Sequence, residues 1–249
     1  MRSFIVGLAA VLLLGVVPTS GALVSVAYAG SLVGTMEGPI KSAFERETGM
    51  TFAGEGKGSR ALANLMRDGD LNPDVFLSAD PSLIAGSRAF GRADLVLGYA
   101  SNSRFAAALD AAAAGRSSLV AVLRTPGLRL ARTDPRLDPK GTKSLAALAA
   151  MGVPAGGAEQ VFPEEDLLTR IESGEADCGF LYTTEIGGPG LRFARLPDGI
   201  GSRRGVAVAF AIAALPSAPH PRAAAAFVNF ILHGPGRAIL ERAGVRFAR

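Results

Sequence analysis

Short apolar runs alternate along this chain with amphipathic stretches of helical period, and that alternation most limits what it can fold into. LVSVAYA, Leu23 to Ala29, is apolar at nearly every position, the pattern of a strand buried on both faces. PIKSAFERETG follows as a helix, with Pro39 suited to its first position and Gly49 to its C-terminal cap. MTFAG is a second strand, SRALANLMRDG a helix with Leu62, Leu65 and Met66 on one face, and PDVFLSAD a third strand. Strands and helices in this order predict an α/β protein with parallel pairing.

A new series begins near ADLVLGYASNS. RFAAALDAAAAG reads as helical, LVAVL as a strand, KSLAALAAMG and PEEDLLTRIESG as helices, and ADCGFLYTTE and GVAVAFAIAAL as strands. The tail from Pro221 is helical throughout. Two such series suggest two lobes, residues 23–98 with 218–249 and residues 99–217, joined by crossing segments around a ligand cleft, although the same elements could form one larger sheet.

Residues 1–22 have the composition of an export signal. Arg2 precedes an apolar run from Phe4 to Val17, and Ser20 and Ala22 form a small-residue cleavage site. The run is short for a membrane span. A soluble monomer released into the periplasm is the expected product. The net charge of +4 is scattered, and three Tyr with no Trp offer little for base stacking, so a nucleic-acid partner is not expected. Cys178, the single cysteine, lies in the apolar run ADCGFLY and reads as a buried, inert thiol.

Two loops bring a serine to the start of a helix after a strand: AYAGSL at Ser31 and GEGKGSR at Ser59. There the free backbone N–H groups and the positive end of the helix dipole favour an anion, to which a hydroxyl adds a donor. Each serine taken alone reads first as an ordinary helix cap. Their occurrence at the same end of adjacent strands favours a shared anion site. GEGKGS is not a Walker loop, because Gly58 separates Lys57 from Ser59, and the spacing fails the dinucleotide fingerprint too. Lys57 reads as a solvent-facing charge. No GxSxG elbow is present, and His220 and His233 with one cysteine give no zinc spacing, so neither catalytic residues nor a metal or cofactor is expected. Asp134 and Asp138 each precede a proline, as turn formers do, although one could face a ligand. Tyr182 ends a strand, where its hydroxyl could reach an anion or its ring could simply pack.

AYAGSL, GEGKGSRALANLM, PDVFLSAD, RTDPRLDPKG and FPEEDLLTRIESGEADCGFLYTTE occur in an order that resembles the secreted solute-binding proteins of molybdate/tungstate ABC importers, the tungstate-type branch in particular. The resemblance implies the two-lobed, type II periplasmic-binding-protein fold, closing on a tetrahedral oxyanion and delivering it to a permease. It implies contacts from Ser31 and Ser59, from Tyr182, and from the Asp-Pro-x-Gly turn at Asp138 and the backbone of Lys140. Leu181 stands where that branch carries a glutamate, and Thr142 replaces an aromatic. The implied ligand is thus an intact dianion held by hydroxyl and amide donors, with no buried acceptor to repel it. A protonated phosphate would want such an acceptor, so sulfate-like ions are expected to be preferred.

Overall fold

A computed structural model describes residues 21–87, 89–155 and 159–248. The expected export signal lies outside these residues except for Gly21 and Ala22.

The first half-unit runs β1 (Leu23–Ala29), α1 (Val33–Thr35), α2 (Lys41–Thr48), β2 (Thr51–Lys57), α3 (Ser59–Asp68), β3 (Val75–Ser78) and β4 (Gly91–Ala93). The chain then enters β5 (Leu95–Ala100), α4 (Ala106–Ala113), α5 (Leu119–Leu123), β6 (Leu130–Thr133), α6 (Pro139–Ala150), β7 (Glu159–Phe162), α7 (Glu164–Glu172), β8 (Cys178–Tyr182) and β9 (Leu191–Arg195). It returns through β10 (Val208–Ala214), α8 (Pro221–Leu232), α9 (Pro235–Arg242) and β11 (Arg246–Phe247).

These strands form two mixed sheets, ordered β11-β4-β10-β3-β1-β2 and β7-β6-β8-β5-β9. In the first, β1 pairs in parallel with β2 and β3. In the second, β6 pairs in parallel with β7 and β8. The antiparallel pairings are β10 against β3 and β4, β11 against β4, and β5 against β8 and β9. Sheet membership therefore moves both expected lobe breaks. Residues 95–98, expected in the first lobe, belong to the second sheet, and residues 208–214, expected in the second, belong to the first. Chain order alone does not fix these breaks, because an apolar strand pairs equally well in either sheet.

Local chemistry explains the elements. Gly49, at φ 69°, ends α2 in the left-handed conformation that glycine adopts without penalty. Pro39 does not open that helix: it sits inside a π-helical turn, Met36–Ile40, between α1 and α2. A proline there has no N–H for the helical ladder, and the widened turn accommodates its ring. LVAVL is helical in α5, not a strand. Ser118 caps it, its Oγ accepting from Ala121 N at 3.3 Å, and a five-residue apolar run has no period that separates the two readings. Phe44, Phe52, Phe227 and Phe230 tie α2, β2 and α8 into one aromatic core, with Phe44 to Phe227 ring centroids 5.1 Å apart in edge-to-face contact.

Asp94 lies at the crossing between β4 and β5. Arg246 of β11 donates to both its oxygens, and Arg195 of β9 stands 3.7 Å away, so strands of both sheets converge on this carboxylate.

Candidate functional site

The parallel register of β1 and β2, Ala29 opposite Lys57, brings Gly30-Ser31 and Gly58-Ser59 to the same edge of the first sheet. The two loops then meet different surroundings. Ser31 lies in a 3-10 turn, Gly30–Leu32, and its Oγ is buried without a hydrogen-bond partner. Ser59 is fully buried, and its Oγ accepts from Ala79 N at 3.0 Å. Its backbone N–H donates to Asp138 Oδ2 at 3.2 Å. Ala61 N donates to Leu137 O at 2.9 Å, completing the cover over the first turn of α3. Gly58 permits this approach: a Cβ there would lie 2.7 Å from Leu137 O. The anion at the N-terminus of α3 is thus the protein's own Asp138.

Asp138 also caps α6, its Oδ1 accepting from Lys140 N at 2.7 Å. Burial pushes its carboxyl above the ordinary value, opposed by Lys140 and by the N–H donors. Arg60 fastens the same turn from α3, donating to Pro135 O at 2.7 Å and to Thr142 Oγ1 at 3.0 Å. Asp134 is a turn former that binds the exposed Arg136 at 2.6 Å.

The side chain of Lys140, not only its backbone, reaches the site. It is fully buried, and its Nζ donates to Glu164 Oε1 and to Glu185 Oε1, each at 2.8 Å. Its ammonium lies 5.1 Å from the centroid of the Tyr182 ring, a cation–π contact. Burial works to lower the Lys140 pKa, but Glu164, Glu185 and Asp138 outweigh it and raise it. Burial pushes both glutamates upward, with Lys140 opposing. Glu185 Oε2 accepts from Tyr182 N at 2.7 Å. The Tyr182 hydroxyl is buried with no partner, and burial followed by Asp138, Glu164 and Glu185 pushes its pKa well up.

A cleft of about 590 Å³ opens beside this cluster, lined among others by Ser31, Glu164, Thr184, Glu185, Leu168 and Arg242. A smaller cavity of about 210 Å³ includes Gly58, Leu137, Asp138 and again Glu164, so the Glu164 side chain is a wall common to both. A Cβ on Gly30 would collide with that side chain, which is how α7 comes to rest against the Ser31 loop. Lys57 is half-exposed at the rim, 3.1 Å from Glu55 and 3.9 Å from Glu165.

The structure thus joins Ser59, Asp138, Lys140 and Tyr182 in one polar network and brings Ser31 to it through Glu164. It corrects one expectation: the cleft is not free of buried acceptors, since Asp138, Glu164 and Glu185 all enter it or back it. Glu164, Thr184 and Glu185 were not legible as site residues. In the sequence Glu164 is one of three acids opening a helix, which the dipole alone accounts for. The signal that could have found it is a lysine in the Asp-Pro-x-Gly turn, because a buried ammonium demands carboxylates. The histidines lie apart. His220 Nδ1 is 3.1 Å from buried Asp74, whose same oxygen accepts from Ser25 Oγ at 2.8 Å, and His233 ends α8. Cys178 is buried at the start of β8, where burial raises its thiol pKa. Among the described residues no group of His, Cys, Asp or Glu is arranged to hold a metal ion.

Two α/β lobes with unpartnered hydroxyls in the cleft between them define the class of binding proteins that enclose a small solute. The chain belongs to the bacterial extracellular solute-binding protein family, which matches residues 24–246. It is 32% identical over 203 residues to an uncharacterized solute-binding protein of Halobacterium salinarum, covering 74% of this chain and 65% of that relative. It is 27% identical to the molybdate-binding protein ModA of Mycobacterium tuberculosis, over 91% of this chain and 86% of the relative. In fold it is similar to the periplasmic molybdate-binding protein of Azotobacter vinelandii, with a TM-score of 0.73 at 20% identity, over 91% of this chain and all of that one.

Proposed function

We propose that this chain is the extracytoplasmic solute-binding component of an ABC importer, that its interlobe cleft takes a tetrahedral oxyanion, molybdate or tungstate first, and that it hands the ion to a permease. The observation that carries this reading is the pair of buried hydroxyls without partners that line the cleft, Ser31 Oγ and Thr184 Oγ1, with a third unpartnered hydroxyl, Tyr182 Oη, in the adjoining Lys140 cluster. Buried polar atoms are nearly always hydrogen-bonded, so unpartnered hydroxyls lining one cleft mark where a ligand supplies the acceptors. Hydroxyl donors suit an oxyanion, and enclosure between lobes removes the ion from water. Ser59 and Asp138 act behind this contact layer, holding the two lobes together, and Lys140 anchors the carboxylates. Export through a cleaved signal to the periplasm, and action as a monomer, complete the reading.

Titration calorimetry with molybdate, tungstate, sulfate and phosphate tests it. Binding of at least one at micromolar concentration is the expected result; no heat from any of the four overturns it. The cleft volume of about 590 Å³ also favours a second reading, an organic anion, since cavities of this size commonly hold small organic ligands. Mass spectrometry of the ligand released from protein purified out of its native host separates the two.

A further inference from the structure

The inference concerns the charge balance of the same cleft and rests on the oxyanion reading. Three carboxylates, Asp138, Glu164 and Glu185, stand around the single ammonium of Lys140, and all four side chains are almost wholly enclosed. Within this four-residue cluster, with every group ionised, negative charge exceeds positive before any ligand enters; Arg242 lines the cleft beside it, and Arg60 and Lys143 lie on its Asp138 side. A dianion in the cleft lined by Ser31, Thr184 and Glu164 adds to that excess where solvent screens little.

The oxygens show where a proton relieves it. Both Glu185 oxygens accept, Oε1 from Lys140 Nζ at 2.8 Å and Oε2 from Tyr182 N at 2.7 Å. Both Asp138 oxygens accept, Oδ1 from Lys140 N at 2.7 Å and Oδ2 from Ser59 N at 3.2 Å. Glu164 Oε1 accepts from Lys140 Nζ at 2.8 Å, but Glu164 Oε2 is buried with no partner, like the three hydroxyls. We propose that the cleft takes up one proton together with its oxyanion, held on Glu164 Oε2, so that this oxygen meets the ligand as an O–H donor. The proton comes from solvent, forms one O–H bond, and returns to solvent when the anion leaves.

The surroundings of α7 leave Glu164 as the site of that proton. The α6 turn brings Lys140 and Asp138, and β8 with the turn after it brings Tyr182 and Glu185. On β2, Lys57 is held by Glu55 and reaches Glu165 rather than Glu164. Arg132 of β6 pairs with Glu159, and Tyr99 of β5 donates to Asp110. The Gly30–Leu32 turn brings no titratable group. Burial pushes the Glu164 carboxyl well above its usual range, Lys140 opposes it, and Asp138 and Glu185 add to it.

The test measures affinity for molybdate and for sulfate, which carry no proton of their own between about pH 6 and about pH 8.5, and repeats one titration in two buffers of different ionisation heat. Affinity is expected to rise by up to about tenfold for each pH unit lowered, with about one proton absorbed per anion. Glu164→Gln, which presents an amide donor at every pH, is expected to bind at the alkaline end as tightly as the wild type does at the acid end, with a flat profile. Wild-type binding with no proton absorbed, or a slope that survives in Glu164→Gln, overturns the proton proposal and leaves the oxyanion reading standing. Should the variant not fold, the buffer pair on the wild type decides alone. No binding of either anion by either protein at any pH overturns both.

Discussion

Ser31 and Ser59 each follow a glycine at the end of a strand, on neighbouring strands in parallel register, yet the protein uses them differently. The Ser59 loop is closed. Its N–H is taken by Asp138, its hydroxyl oxygen by Ala79, and the Ala61 N–H of its helix by Leu137. The Ser31 loop is open, its hydroxyl buried, unpaired and facing the cleft. A strand-Gly-Ser-helix motif fixes where donors point; what arrives from the other lobe decides whether they bind ligand or protein. Here a capping aspartate reaches one loop, and a glutamate with a spare oxygen reaches the other.

Lys140 underlies both loops, through its backbone N–H to Asp138 and its side chain to Glu164, so removing its charge disturbs the whole contrast. Lys140→Met leaves buried carboxylates uncompensated and is expected to lower stability by about 3–5 kcal/mol at neutral pH, read by urea denaturation. A loss under about 1 kcal/mol would mean that the cluster is already neutral without the lysine.

The serines themselves should separate by kind of effect. Ser59→Ala strands the Ala79 N–H and is expected to cost about 1–3 kcal/mol of stability. Ser31→Ala removes a hydroxyl that nothing in the protein satisfies, so stability should stay within about 0.5 kcal/mol while anion affinity falls roughly tenfold. Paired melting and calorimetry check this, and equal losses of both quantities in both variants would erase the distinction.

The smallest expected effect is a pH trend. Asp138, Glu164 and Glu185 are all raised in the folded protein, so the folded state holds their protons more tightly than the unfolded chain does. Their contribution to stability is therefore fullest below the ordinary carboxylate range and is lost as pH rises through the raised values. Denaturation midpoints at about pH 5 and about pH 8 should show the decline, and Glu164→Gln should make it shallower.

Much of this was legible in the sequence, for reasons that also mark where legibility ends. β1 and β3 announce themselves because buried strands read as apolar runs, whereas β2 is mostly exposed or half-buried and runs on through GEGK to Lys57, beyond the MTFAG that its pattern suggests. The α/β fold class needed only local pattern, as did the position of Ser31 in a turn after β1. β7 went unread because EQVF has a charged, half-exposed face, and α5 was misread because five apolar residues fit either period. Tyr182 was placed at a strand end from its neighbours, but its contact with Lys140 is a distance between elements that periodicity does not encode. The acceptors at Glu164 and Glu185 were missed for the same reason: one acid at a helix start and one after a strand become a pair only when a third element brings an ammonium between them.

The double crossing of the chain between the sheets has a mechanical meaning. The second sheet is built from five strands consecutive in the chain, β5 to β9, whereas the first needs β10 and β11 from the returning segment, so only the second lobe is one continuous piece of chain. Two straps side by side, pinned where Arg195 and Arg246 converge on Asp94, resist twisting yet still bend about the line that joins them. The jaws of such a device swing like a door on two pins, and that is what would return the Gly58 loop to the Asp138 turn in the same register at every closure.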